Sequence, residues 1–394
     1  MTKRDPRTPF LDRWFERAFG DDEPSRLGTG WASGVASVFL GGLALGAVVV
    51  LWFPDWLSTA RFRPLYPVPL LRAAIEGVIV VGFVAGAISL MLRRRKVLGL
   101  TGCGLSLLAA LLGGGRVDAG SDVHRATTLG LDWFLLNLFL LAIVFVPLER
   151  VFPQRSGQST FRPEWTTDGV YFLASHVLVQ SLSFAVLLPA TTFGRVFHPE
   201  GVQVVIRSQP LLLQFLEIVL VADLAQYAVH RAFHRIPALW RFHSVHHSSR
   251  DLDWLAGSRL HLVDAVLTRA LVLVPLSVLG FAEAALAGYL VFVSFHAVFI
   301  HANVRFRLTA VEGVLVTPRF HHWHHAAEPE ALDRNFAVHL PWLDRLFGTA
   351  YLPAEVWPAA YGLADDPVPS GFLRQLQYPF TGTSRGEPGR GQTR

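Results

Sequence analysis

The chain has 394 residues, 52% of them hydrophobic and only 16% charged, and a mean hydropathy of +0.38; a soluble protein carries more charge, and apolar runs of about 20 residues suit helices in lipid. A single cysteine, Cys103, excludes an intramolecular disulfide, a four-cysteine zinc site and a cysteine-ligated iron–sulfur cluster. The net charge of +5 is what arginine-rich cytoplasmic loops give a membrane protein, so no nucleic-acid partner is expected.

Residues 1–30 read as a polar cytoplasmic segment without the apolar core of a cleavable signal. Within it, 10–19 sets aromatics among charges and is either a short interfacial helix or a solvated linker. Eight membrane segments follow, at about 31–53, 74–92, 97–113, 131–147, 168–189, 211–229, 262–280 and 283–300. The third is short, and the seventh contains Asp264, Arg269 and Pro275. Residues 31–150 form a transmembrane extension with no functional reading, 151–352 the domain that holds the histidine clusters, and 353–394 a C-terminal tail. From about 380 that tail is too polar to offset its ordering entropy and is expected to be disordered.

The densest basic run, Arg93-Arg94-Arg95-Lys96, links the second and third segments and belongs in the cytoplasm. Parity then puts the N-terminus, 148–167, 230–261 and everything after about 301 on that same side. Arg61, Arg63 and Arg72 weigh against this orientation, since their loop falls outside.

Twelve of the sixteen histidines lie between 230 and 325. His230 and His234 leave segment six on one helical face, and Pro237 ends or bends that helix. His243, His246 and His247 follow, then His301 at the end of segment eight, then His321, His324 and His325. Imidazole is the commonest neutral nitrogen donor for iron, zinc and copper, and residues three and four apart share a face. Nine candidate ligands exceed the coordination of one metal and imply two. Asp223 and Tyr227 stand on the same face as His230 and are expected to orient it from behind. His261 and His296 are weaker candidates; His322 breaks the H-x2-H-H spacing, and His124, His176, His198 and His339 read as interfacial or structural.

These stretches resemble the fatty acid hydroxylase / sterol desaturase superfamily of integral membrane di-iron oxygenases. The matching residues are Asp223 to His234, Leu239 to Ser248, His301-Ala302-Asn303, Thr317 to His325, Asn335, and Leu343 to Thr349. The resemblance covers about 165–352 and implies two irons on histidine (zinc substituting), dioxygen as a substrate, and hydroxylation or desaturation of a lipid C–H bond. It leaves the lipid open among sterol or hopanoid, fatty acyl chain, ether lipid and carotenoid. The chain has no glycine fingerprint for a flavin or nicotinamide, so electrons are expected from a separate ferredoxin, cytochrome b5-like protein or reductase.

The expected fold is all-α and polytopic, with a cytoplasmic helical cap from 230–261 and 302–350 holding the His-rich dimetal site over segments five to eight. A haem-binding membrane electron carrier, a non-enzymatic metal-stabilised membrane protein and a family member without activity remain alternatives. Haem carriers, however, use isolated histidines deep in their helices, whereas these are paired at helix ends.

Overall fold

The computed structural model describes residues 28–59, 67–117, 128–181, 183–306, 308–363 and 368–381. The expectations for 10–19, for His124 and for the tail beyond 381 lie outside them. The described residues form helices and two isolated β-bridges, without strands. Contacts divide the chain into two units, 10–140 and 141–394.

In the first unit, α1 (Trp31–Trp52) packs against α2 (Val68–Leu92) and α3 (Val97–Leu111). Small residues let the backbones approach, as lipid-embedded helices require. Ser37 Oγ donates to the Gly82 carbonyl at 2.6 Å and Ser89 Oγ to the Gly30 carbonyl at 2.8 Å. A Cβ on Gly102 would collide with Ser37, so glycine is required there. The helix α4 (Leu131–Val151) begins in this unit and ends in the second.

The second unit continues with α5 (Trp165–Ser181), α6 (Ser183–Val196), α7 (Glu200–Ser208), α8 (Leu211–Arg235) and α9 (Pro237–His247). It closes with α10 (Leu262–Leu279), α11 (Glu283–His301), α12 (Pro318–His324), α13 (Trp342–Leu346) and α14 (Phe372–Gln377). Helix α8 packs on α10 and α11 around Ile218, Val219, Ala222, Leu276, Ala285 and Tyr289.

Seven helices among the described residues are long and apolar enough to cross a membrane. They coincide with seven of the predicted segments; in the region of the fifth, 168–189, the described residues are helical over Trp165–Ser181 and Ser183–Val196. Thr166, Thr167 and Asp168 in the first turn of α5 are buried, and Asp168 binds Arg162 and Arg259. That turn therefore belongs to the cap. At its other end, α6 brings Gly194 against Ser277, at the far end of α10.

The cap is held by buried charge as well as apolar packing. Arg162 donates to Asp253 at 2.7 Å and to Asp168, while Arg259 donates to Asp168 and Glu164. Burial favours the neutral form of Arg162, but Asp253 and Asp168 outweigh it and hold the guanidinium charged. Breaking one partner of such a group strands a buried charge, at a cost of about 3–5 kcal/mol. Residues of the predicted tail also join the cap: Val368, Phe372 and Tyr378 pack with Tyr171 and Val245.

Candidate metal centre

Four cap and helix-end segments converge their imidazoles. Helix α8 presents His230 and His234 one turn apart, and α9 presents His243, His246 and His247. Helix α11 ends at His301, and α12, capped by the Thr317 side chain, carries His321 and His324 with His325 just beyond. The nine nitrogens fall into two groups, within each of which all lie within 4.8 Å of one another: His230, His234, His243, His247 and His324; and His246, His301, His321 and His325. The nine are the nine candidates of the sequence. The partition is new. An α-helix turns about 100° per residue, so His246 and His247 face different groups, and His324 and His325 likewise. His247 and His325 stack at 4.5 Å between ring centres, so the groups share a wall.

Outward nitrogens are fixed by acceptors. His230 Nδ1 donates to the Phe336 carbonyl at 2.8 Å, His243 Nδ1 to Asp264 at 2.7 Å, and His324 Nδ1 to the Arg334 carbonyl at 2.8 Å. In the second group, His246 Nδ1 donates to the Arg259 carbonyl at 3.0 Å and His301 Nδ1 to the Ala297 carbonyl at 2.7 Å. A carbonyl can only accept, so Nδ1 carries the proton and Nε2 keeps a lone pair. Those lone pairs meet head-on: His230 Nε2 lies 3.0 Å from His243 Nε2, and His246 Nε2 lies 3.3 Å from His301 Nε2. The buried Nε2 atoms of His234, His247 and His324 have no hydrogen-bond partner among the described residues. Converging lone pairs in a buried site repel one another and call for cations between them. An all-imidazole set without thiolate fits iron, zinc or copper.

Burial also keeps several of these imidazoles neutral. It pushes His246, His247, His321 and His325 well below the usual histidine range, helped by neighbouring imidazoles, and brings His324 down to about 3. The lone pairs of these five are therefore free at any physiological pH.

The weaker candidates stand elsewhere. His261 caps α10, accepting from the Val263 N–H while its Nε2 donates to the Leu376 carbonyl. His296 Nδ1 lies 3.0 Å from His339 Nδ1, and its Nε2 donates to the Val316 carbonyl. Both are structural. His322 bonds Tyr361 and the His301 carbonyl, behind the site.

The expected support of His230 by Asp223 through Tyr227 is also corrected. Asp223 is fully buried, and it accepts the N–H groups of Val338, His339 and Leu340 at 2.9, 3.0 and 2.6 Å. Asp344 accepts those of Phe336 and Ala337, each at 2.8 Å. Two carboxylates thus anchor five successive amides, and this segment delivers the Phe336 carbonyl to His230. Tyr227 instead shares a 2.8 Å hydrogen bond with Thr349, whose hydroxyl also donates to Asp344 at 2.7 Å. Asp264 was visible in the sequence only as an unexpected acid in an apolar segment; intramembrane carboxylates usually have such a partner.

Residues 215–349 match the fatty acid hydroxylase family, and this span holds all nine histidines. Those residues are similar to a fatty acid hydroxylase domain. Ornithine lipid hydroxylase OlsE of Rhizobium tropici is 29% identical over 293 residues, covering 72% of this chain and 84% of that protein. The alkylglycerol monooxygenases of Homo sapiens and Xenopus tropicalis are 31% and 30% identical, over 36% of this chain and 31% of theirs. The chain therefore spans about a third of the length of those monooxygenases. No solved structure matches it. Within 215–349, the quoted residues Asn335, Asp344 and Thr349 are those that fix the 335–340 segment. Asn335 sits at φ 58° and bonds the Phe320 carbonyl and both backbone groups of Tyr351.

Proposed function

We propose that this chain is a multi-pass membrane oxygenase that uses two irons and dioxygen to hydroxylate a C–H bond of a lipid, with 151–352 as its catalytic domain. The observation that carries the reading is the pair of His groups, with lone pairs converging at the mouth of the helix bundle. The proposed ligands are His230, His234, His243, His247 and His324 on one metal, and His246, His301, His321 and His325 on the other. Bound iron would supply the redox chemistry that activates dioxygen toward an unactivated C–H bond. The balance is RH + O2 + 2 e⁻ + 2 H⁺ → ROH + H2O, with the electrons drawn from a separate carrier protein. Carbonyl and carboxylate acceptors hold the imidazoles in one tautomer and orientation, and the apolar bundle excludes water around the substrate chain. The relatives' names, an ornithine lipid hydroxylase and alkylglycerol monooxygenases, favour a lipid with an acyl or alkyl chain over a sterol or carotenoid.

Protein purified in mild detergent is expected to hold about two irons per chain, with no Soret band. One iron per chain with a Soret band would establish the haem carrier instead. Comparative lipidomics of a deletion strain and wild type should then show the loss of one hydroxylated lipid class.

We place the metal site on the cytoplasmic side. Single cysteines replacing Arg95, Arg250 and Glu330 in a Cys103→Ser background are expected to label from the cytoplasm only. Labelling of positions 250 and 330 from opposite sides would break the site apart.

A further inference from the structure

Among the described residues, two side-chain carboxylates bond candidate ligands: Asp264, 3% exposed, on His243, and Asp333, 42% exposed, on His234 at 3.3 Å. The carbonyl of the next residue, Arg334, holds His324. Two ligands of the larger group thus reach outward to one surface turn. The other fixed nitrogens lead inward: Phe336 and Arg259, which supply carbonyls to His230 and His246, are almost fully buried.

That turn is shaped for a partner. Leu332 is 61% exposed, and Arg235, with a side chain 56% exposed, and Arg334 both flank the Asp333 carboxylate. Arg231 lies one turn back on α8. The three arginines outnumber the two carboxylates of the turn, Asp333 and Glu330, and the Asp333 carboxylate is engaged by His234. Redox encounters are small, brief and steered by opposite charge around a modest apolar contact.

Resting on the oxygenase reading above, we propose that the 332–334 turn with Arg235 is the docking face of an acidic one-electron carrier protein, which delivers the two electrons of each turnover through Asp333 and His234.

The test uses the full chain in detergent and an acidic [2Fe–2S] ferredoxin as probe. Oxidised ferredoxin should bind the immobilised chain with an affinity that falls as salt rises. Arg235→Glu with Leu332→Glu should weaken that binding by about tenfold or more and slow oxidation of reduced ferredoxin, while metal content and reduction by dithionite stay unchanged. Binding and ferredoxin oxidation that ignore both substitutions would overturn the proposal. So would a loss of attachment to anionic vesicles with ferredoxin binding intact, which would make the turn a lipid-facing surface. A wild-type chain holding two metals that dithionite fails to reduce would remove the oxygenase reading, and this proposal with it.

Discussion

Replacing His246 with alanine is expected to empty the smaller metal position, lowering metal content from about two per chain to about one. Its group has four members, so three imidazoles remain, and all four are buried. Removing the imidazole also leaves the Arg259 carbonyl without its 3.0 Å donor, in a cap held by buried charge. Loss of an orienting group alone costs roughly 10–100-fold in metal affinity or activity, so loss of a ligand should exceed about 100-fold in turnover. His324→Ala should be milder for metal content, because four of five imidazoles remain in its group. His198, exposed and outside both groups, serves as the control. Metal analysis of the three purified variants decides the matter: equal losses in His198→Ala and His246→Ala would dissolve the assignment.

The nine histidines were legible because side chains that converge from a helix leave a periodic trace. Pairs at i, i+4 on α8, α9 and α12 share a face, and His230/His234, His243/His247 and His321/His325 each stay within one group. What the spacing hid was the division of adjacent residues. H-x2-H-H looks like one face, yet His246 and His247 turn to different groups.

The supporting shell was largely illegible for a plainer reason. Four of the fixed imidazoles donate to backbone carbonyls, of Phe336, Arg259, Arg334 and Ala297, and a carbonyl has no residue signature. Asp333 reaches His234 from 99 positions away, a pairing that periodicity along one helix cannot give. His261 and His296 resembled ligands because a buried imidazole also serves as a cap or a core hydrogen-bonder. The apolar runs marked the membrane helices well. They do not show that the polar first turn of α5 is buried against an arginine 91 residues away.

Asp223→Asn is expected to destabilise the chain and loosen the larger metal position, without disturbing the smaller one. The aspartate takes three amides on two oxygens: Val338 and His339 on Oδ1, and Leu340 on Oδ2. Asparagine offers one oxygen, and its NH2 would face an N–H it cannot accept. At least one buried amide is stranded, at about 1–3 kcal/mol. For a protein unit of this size that corresponds to a melting temperature lower by about 2–4 °C per kcal/mol. The slackened 336–340 segment carries the Phe336 carbonyl that orients His230, so chelator titration should release one metal sooner, within the roughly 10–100-fold range of orienting groups. Asp344→Asn should act alike through Phe336 and Ala337. Tyr227→Phe removes the hydrogen bond shared with Thr349 and a longer one accepted from Arg231 at 3.4 Å, and should cost only about 0.5–1.5 kcal/mol for each, with metal retained. If instead Asp223→Asn melts and holds metal like wild type while Tyr227→Phe loses it, His230 is oriented through Tyr227 after all. The anchored segment would then be incidental to the site.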